Sequence, residues 1–351
     1  MIGKIQIGKR CVGPGEPTYV IAEMSANHGQ SFDNAVAIIR AAKDAGADAV
    51  KLQTYTPDTI TIDSNREEFR ISGGTIWDGR NLHQLYGEAY TPWDWQPRLK
   101  QEAEALGMDL FSSAFDDTAV DFLEKMNVPA HKVASFELVD IPLIQKMART
   151  GKPLIMSTGM ATVEEIEEAV GCAREAGATQ IALLKCTSAY PAPVDDMNLR
   201  TIPEMARRFN LPVGLSDHTM GIAVPVAAVA LGACVIEKHL TLSRATPGPD
   251  SAFSLEPQEF RSMVEGVRTA ERALGEVSFT LSAKERASQV FRRSLFVVED
   301  VKPGDPFTAA NVRSIRPGHG LHPRHLMEVL GKSASQGIKR GTPLSWEYVV
   351  R

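Results

Sequence analysis

Cysteine is scarce in this chain. Cys11, Cys172, Cys186 and Cys234 are the only four in 351 residues. No two share the short spacing of a zinc knuckle or the even pattern of a secreted scaffold. Reduced thiols in a cytoplasmic protein are the expected state. An excess of positive charge is also missing: the formal net charge is -5, which argues against nucleic acid as the main partner. No apolar run approaches a membrane span in length, and the opening MIGKIQIGKR lacks a signal peptide's apolar core. No membrane association is expected. A glycine-rich dinucleotide turn is absent too, since Glu23 to Gln30 after the first expected strand is not one. What remains is ordinary globular composition, 43% hydrophobic and 23% charged, with length for one large domain and a small one.

The most informative stretch runs from Leu211 to Asp250. Two short apolar runs, Pro212 to Leu215 and Cys234 to Ile236, read as strands buried on both faces. The first runs into Ser216-Asp217-His218 and the second into Glu237-Lys238-His239. Met220 to Gly232 between them is long enough for a crossover helix. This predicts a βαβ unit whose neighbouring strands each end in a histidine, at the end where such units carry their chemistry. Two imidazoles there suit a divalent metal that keeps positions open for substrate. A single such histidine is more often a satisfied core residue; the pairing is what favours the metal.

The same rhythm fills the chain. Apolar segments opening at Tyr19, Ala49, Met108, His131, Pro153 and Ile181 precede those two, and helical patterns alternate with all eight. Thr91-Pro92 reads as a cap and first turn of a helix running to Gly107. Thr162 and Glu165 form a capping box. Eight strands with eight helices predict a (β/α)8 TIM barrel over residues 1–280. Tyr55 to Tyr90 breaks the rhythm as a long polar loop, of the kind that forms lids or specificity loops. Residues 281–291 read as a linker, with a polar helical connector from Ser282 to Val290. Turn-rich segments then predict a small second domain over 292–351, packed on its own barrel or a partner's.

At the barrel mouth the candidates are Lys51 and Lys132, with hydroxyls from Ser112, Ser113, Ser135, Ser157, Ser188 and Ser216. Lysines among hydroxyls and strand-end N–H groups make a phosphate or carboxylate cradle, although a lone strand-end lysine more often snorkels to the surface. Lys185 and Lys238 are weaker, and Lys238 is expected to face the helices or form a salt bridge. Glu23 is placed to move a proton or to pair with a mouth lysine. Asp217 reads as a partner of a metal-binding histidine or as a helix cap. Asp250 reads as a substrate contact or a turn residue. Cys186 and Cys234 read as strand packing, and His131 and His83 carry no role.

Taken in order, Ile21-Ala22-Glu23 with Asn27-His28, Val50-Lys51-Leu52-Gln53-Thr54, Lys132-Val133-Ala134-Ser135, Ser157-Thr158-Gly159, Cys186-Thr187-Ser188-Ala189-Tyr190-Pro191, Gly214-Leu215-Ser216-Asp217-His218 and Glu237-Lys238-His239 resemble the sialic acid synthases. The resemblance extends over essentially the whole chain, and the C-terminal segment is similar to their antifreeze-like (SAF, β-clip) domain. Within the family the likeness is to the pseudaminic acid branch. It rests on Ser25-Ala26-Asn27-His28, Gly73-Gly74-Thr75-Ile76-Trp77-Asp78 and Arg293-Ser294-Leu295.

That resemblance implies condensation of phosphoenolpyruvate with an aminosugar aldehyde and release of phosphate. In this branch the sugar is 2,4-diacetamido-2,4,6-trideoxy-L-altrose. It implies metal ligands at His218 and His239, with Mn2+ the expected ion and Mg2+ or Co2+ as alternatives, and an acid/base carboxylate at Glu23. The implied phosphoenolpyruvate contacts are Lys51, Gln53, Lys132, Ser135, Ser157, Ser188 and Ser216. Tyr190 and Asp250 match sugar contacts. Arg316 matches an arginine that a partner subunit's SAF domain places over the active site, which implies a domain-swapped homodimer. N-acetylneuraminate and legionaminic acid synthases stay open within the family. Outside it stand a Schiff-base aldolase using Lys51 or Lys132 and, on the C-terminal domain alone, a sugar-binding or ice-binding protein.

Overall fold

Eight short strands, most of them apolar where they start and polar where they end, close into a parallel barrel. The computed structural model describes residues 2–350. The strands are β1 Tyr19–Glu23, β2 Ala49–Thr54, β3 Asp109–Ala114, β4 His131–Val133, β5 Leu154–Ser157, β6 Ile181–Cys186, β7 Val213–Asp217 and β8 Val235–His239. They pair in chain order, and β8 closes on β1. The eight barrel helices are α1 Phe32–Asp44, α2 Gln96–Ala105, α3 Asp117–Lys125, α4 Ile141–Arg149, α5 Val163–Glu175, α6 Thr201–Phe209, α7 Ala223–Ala230 and α8 Pro257–Leu274. This is the expected (β/α)8 architecture.

Helix α4 shows why the alternation works. Its Asp140 cap accepts from Leu143 N at 3.2 Å, Pro142 occupies the first turn, and Leu143, Ile144, Met147 and Ala148 fall on one buried stripe. Leu143, Ile144 and Met147 each contribute roughly 1.5–3 kcal/mol when fully buried. Between strands the fit is tighter still. Gly214 lies in β7 where an added Cβ would stand 2.4 Å from Val235 O and 2.8 Å from Leu184 Cδ2. Only glycine lets β7 and β8 approach that closely at this level.

Three departures from the sequence reading matter. Thr91-Pro92 does not open α2, which starts at Gln96 after a turn. The Thr91 hydroxyl instead meets His28 Nε2 at 3.1 Å, a buried partnership that outweighs its capping tendency. The Tyr55 to Tyr90 stretch is not wholly irregular. It includes a short helix Pro57–Ile60 and another, Leu82–Ala89, capped by Asn81, whose side chain accepts from His83 N at 2.9 Å. Finally, an unanticipated N-terminal hairpin, Ile5–Ile7 against Arg10–Val12, buries Ile5, Ile7 and Val12.

The chain forms two compact units that divide between Gly275 and Glu276. The second contains a polar helix Ala283–Ser288 and an antiparallel pair, β9 Ser294–Val297 and β10 Val312–Ile315. Its own small core gathers Leu295, Val297, Val301, Phe307, Val312, Val329, Ile338 and Leu344 among others. Among the described residues no helix is long and apolar enough to cross a membrane.

Candidate active site

Strand parity sorts the candidates, because residues one apart point to opposite faces. Lys51, Ser113, Lys132, Ser157, Ser216, Glu237 and His239 turn into the barrel. Lys51 Nζ lies 2.7 Å from Glu23 Oε2 and donates to Ser113 Oγ at 3.2 Å. Lys132 Nζ donates to Ser157 Oγ at 2.7 Å and to Val133 O at 2.9 Å. The out-of-phase neighbours go elsewhere. Ser112 bonds Thr54 at 2.6 Å and is not a mouth hydroxyl. Lys185 donates to Thr187 Oγ1 at 2.7 Å, and His131 faces Glu124 at 2.8 Å. Lys238 pairs with Asp217 at 2.5 Å with both side chains fully buried, the salt bridge foreseen for Lys238. Asp217 is accordingly neither a partner of a histidine nor a helix cap: its other bonds go to Thr219 N at 3.0 Å and Thr219 Oγ1 at 3.1 Å.

A cradle forms where the loops after β4, β5 and β6 meet. Gly159 N donates to Ser135 Oγ at 3.1 Å. A Cβ on Gly159 would fall 2.2 Å from Ser188 Oγ and 2.8 Å from Ser135 Oγ. Two hydroxyls therefore converge on the one position that lacks a side chain. Nearby Lys132 is fully buried, and burial holds its pKa below the ordinary lysine range despite the attraction of Glu237. An anion in the cradle would supply the counter-charge that this ammonium lacks.

The carboxylates form the centre. Glu23 is buried, and its pKa is raised to about 7 by burial, with Lys51 opposing and Glu237 reinforcing the shift. Glu237, which the sequence reading passed over as a site residue, accepts from Ser216 Oγ at 3.0 Å and lies 3.8 Å from Lys51 Nζ. The signal for it was available in its phase with His239. Lys51 stays an ammonium: burial works against its charge, but Glu23 and Glu237 outweigh it and raise its pKa. Gln53 spans from this centre toward Asp250, with Nε2 donating to Glu23 Oε1 at 2.9 Å and Ser25 Oγ at 2.8 Å. The Ser25 hydroxyl in turn donates to Asp250. Ser25 and Asp250 thus extend a polar chain out from Glu23. Glu137, on the turn after Ser135, is a second overlooked carboxylate. Burial raises its pKa to about 7, and its Oε2 has no hydrogen-bond partner among the described residues.

The histidines stand together, with ring centroids 5.4 Å apart. His218 Nδ1 lies 3.0 Å from Thr187 O, which can only accept, so Nδ1 carries a proton and Nε2 is the nitrogen left to face a metal. His239 is held neutral by burial, reinforced by the charges of His218, Lys51 and Lys238. Its buried Nδ1 has no partner among the described residues. A neutral His239 with an orphan nitrogen, beside the ring of His218, fits a divalent ion. An ion held by these two side chains would keep open positions. Cys186 is more than strand packing, since its Sγ lies 3.9 Å from both His218 Nδ1 and Ser188 Oγ. Aromatic rings wall this half. Tyr190 lies 4.3 Å from His218 and Phe253 lies 5.0 Å from His239, centroid to centroid. Arg316 is exposed in the second unit, just beyond β10.

Fold and site define a (β/α)8 barrel whose mouth divides into a lysine–serine anion cradle and a histidine–aromatic half, with a buried carboxylate pair between. The NeuB family model matches residues 38–279, and the SAF domain model matches 292–350. The pseudaminic acid synthase of Campylobacter jejuni is 46% identical over 326 residues, covering 93% of this chain and 95% of that protein. That of Helicobacter pylori is 43% identical over 337 residues, 96% of this chain and 99% of that one. A solved N-acetylneuraminic acid synthetase from Leptospira borgpetersenii superposes with a TM-score of 0.73 at 30% identity, over 82% of this chain and 95% of that one. The chain belongs to the NeuB family, the sialic acid synthases its motifs resemble, and it is an enzyme.

Proposed function

We propose that this enzyme condenses phosphoenolpyruvate with 2,4-diacetamido-2,4,6-trideoxy-L-altrose and releases phosphate, as a pseudaminic acid synthase. The observation that carries the reading is the pairing of an anion cradle on Lys132, Ser135, Ser157, Gly159 and Ser188 with two metal-ready histidines across one buried carboxylate pair. The identities of 43% and 46% to the two pseudaminic acid synthases support this acceptor.

Carbon–carbon bond formation joins C3 of the enol to the aldehyde carbon, leaves an oxocarbenium at C2 and turns the aldehyde oxygen into an alkoxide, which gains a proton that balances the one lost by the water added at C2. Water adds to C2, and phosphate departs by cleavage of the C2–O bond. The cradle holds the phosphoryl group and stabilises its charge as it leaves. Lys51 faces the same centre as an ammonium and is suited to the substrate carboxylate. Glu23, ionising near neutrality, takes the proton from the attacking water, while Gln53 and Ser25 fix its orientation. Tyr190 and Asp250 bound the acceptor side. A divalent ion, Mn2+ in our reading with Mg2+ or Co2+ as alternatives, would be held by His218 and His239 and would polarise the aldehyde as a Lewis acid.

The active form is proposed to be a cytoplasmic homodimer in which the partner's second unit brings an arginine equivalent to Arg316 over the mouth. The loops after β4, β5 and β6 leave Phe136, Val139, Met160 and Val194 each about 60% exposed. That apolar rim is unusual for a free surface and suits a covering subunit.

Phosphate release from phosphoenolpyruvate with Mn2+ is the test, with the altrose sugar, N-acetylmannosamine and the legionaminic precursor as acceptors. Turnover with the altrose sugar alone is expected, abolished by chelation and restored by Mn2+. Turnover with N-acetylmannosamine instead would replace the acceptor but keep the chemistry. Activity that survives chelation and is trapped by borohydride would replace the mechanism with a Schiff base on Lys51 or Lys132.

A further inference from the structure

The segment between β2 and α2 carries Trp77 onto the aromatic wall of the mouth. It is carried on a self-bonded turn. The Asp78 carboxylate accepts from Gly74 N at 2.8 Å, Thr75 N at 2.9 Å and Thr75 Oγ1 at 2.7 Å, and Ile71 bonds across to Arg80 O at 2.9 Å. The turn is locked to the loop after β8, because Trp77 Nε1 donates to Pro249 O at 3.0 Å. The next residue, Asp250, bonds Ser25 and the Ala26 amide. The indole lies 5.6 Å from Tyr190 and 6.3 Å from Phe253, centroid to centroid. Those two rings in turn lean on His218 and His239. Trp77 therefore stands one ring further from the histidines than Tyr190, and it is half-buried.

Its chemistry is one-sided. The indole N–H is the side chain's only donor, and Pro249 O already takes it. What the ring can still present to a ligand is its apolar face and edge. A ligand group packed there gains from being a methyl and loses if it is a hydroxyl that finds no partner. An acceptor sugar held by its aldehyde at the histidines projects its far carbon away from them, along the aromatic wall. In the 2,4,6-trideoxy acceptor that far carbon is a methyl; in N-acetylmannosamine it carries a hydroxyl.

We propose that Trp77 is a specificity-determining residue that packs against the C6 methyl of the acceptor and selects for 6-deoxy sugars. The assignment rests on the acceptor reading above and adds the residue that makes the choice. Hydrophobic pockets discriminate against an added hydroxyl by about 100-fold, and that is the size of effect expected here.

The test uses full-length enzyme with Mn2+ and a matched pair of acceptors, the 2,4-diacetamido-2,4,6-trideoxy sugar and its 6-hydroxy counterpart. Wild type should favour the 6-deoxy sugar in kcat/KM by about 10- to 100-fold. In Trp77→Ala that ratio should fall to within about threefold, while the KM for phosphoenolpyruvate, set by the cradle, stays near wild type. Trp77→Phe, which keeps a smaller ring, should fall between the two. A preference that either variant retains undiminished overturns the Trp77 assignment alone. Should Trp77→Ala not fold, Trp77→Phe decides by the same ratio. Wild-type enzyme that turns over neither diacetamido sugar takes down the acceptor reading and the Trp77 assignment with it.

Discussion

At the scale of single residues, the decisive group is Glu23. Its carboxyl is buried between Lys51 and Gln53 and shares its surroundings with Glu237, whose charge adds to the upward shift that burial causes. With its pKa raised to about 7, Glu23 is the base that switches on as pH rises through neutrality. Turnover should therefore fall on the acid side of pH 7. Glu23→Gln should lower kcat by about 100-fold or more and erase that acid limb, leaving phosphoenolpyruvate binding in place. Stability runs the other way. A carboxyl whose pKa is raised on folding favours the native state at low pH, and that contribution is lost as pH climbs from the ordinary carboxylate range through about 7. Glu23→Gln should thus resist denaturant better than wild type above neutrality. A pH–rate profile beside urea titrations at pH 5 and pH 8 checks both statements, and near wild-type turnover would remove Glu23 from the chemistry.

At the scale of elements, β7 and β8 are tied together on the helix-facing side as well as inside the barrel. Asp217 and Lys238 are register partners, and their fully buried ion pair lies back to back with His218 and His239. Removing one member of a buried pair leaves the other uncompensated, at about 3–5 kcal/mol. Lys238→Met should lose about that much in urea unfolding, and adding Asp217→Asn should recover part of it. Simple additivity of the two losses would show that the pair is not coupled. Sequence periodicity located β7 and β8 and the phase of Lys238, because alternation along a strand is local. It could not pair Asp217 with Lys238, since that contact depends on strand register. The same limit explains Thr91, whose capping tendency yielded to His28 across the barrel rim.

At the scale of the whole molecule, the proposed dimer makes each mouth a shared site, with Glu23 from one subunit and Arg316 from the other. Glu23→Gln and Arg316→Ala should each be nearly inactive alone. Mixed through unfolding and refolding, random pairing should place one intact site in half of the dimers, restoring about a quarter of wild-type activity. Sites built within single subunits would restore none. Light scattering on the wild type gives the accompanying mass.

Composition and strand–helix rhythm determined the barrel, and the motifs at its strand ends pointed to Glu23, Lys51, Lys132, Ser157, His218 and His239 as candidates, because polar residues at the mouth of a buried parallel strand stand out against its apolar run. Tertiary structure alone decided three things. It set which polar neighbours point inward, excluding Ser112 and admitting Glu237. It put Gly159 at the point where Ser135 and Ser188 converge. It also brought Trp77 from a distant loop onto Tyr190 and Phe253. Each depends on closure of the barrel, which joins residues far apart in the chain at distances no local pattern encodes.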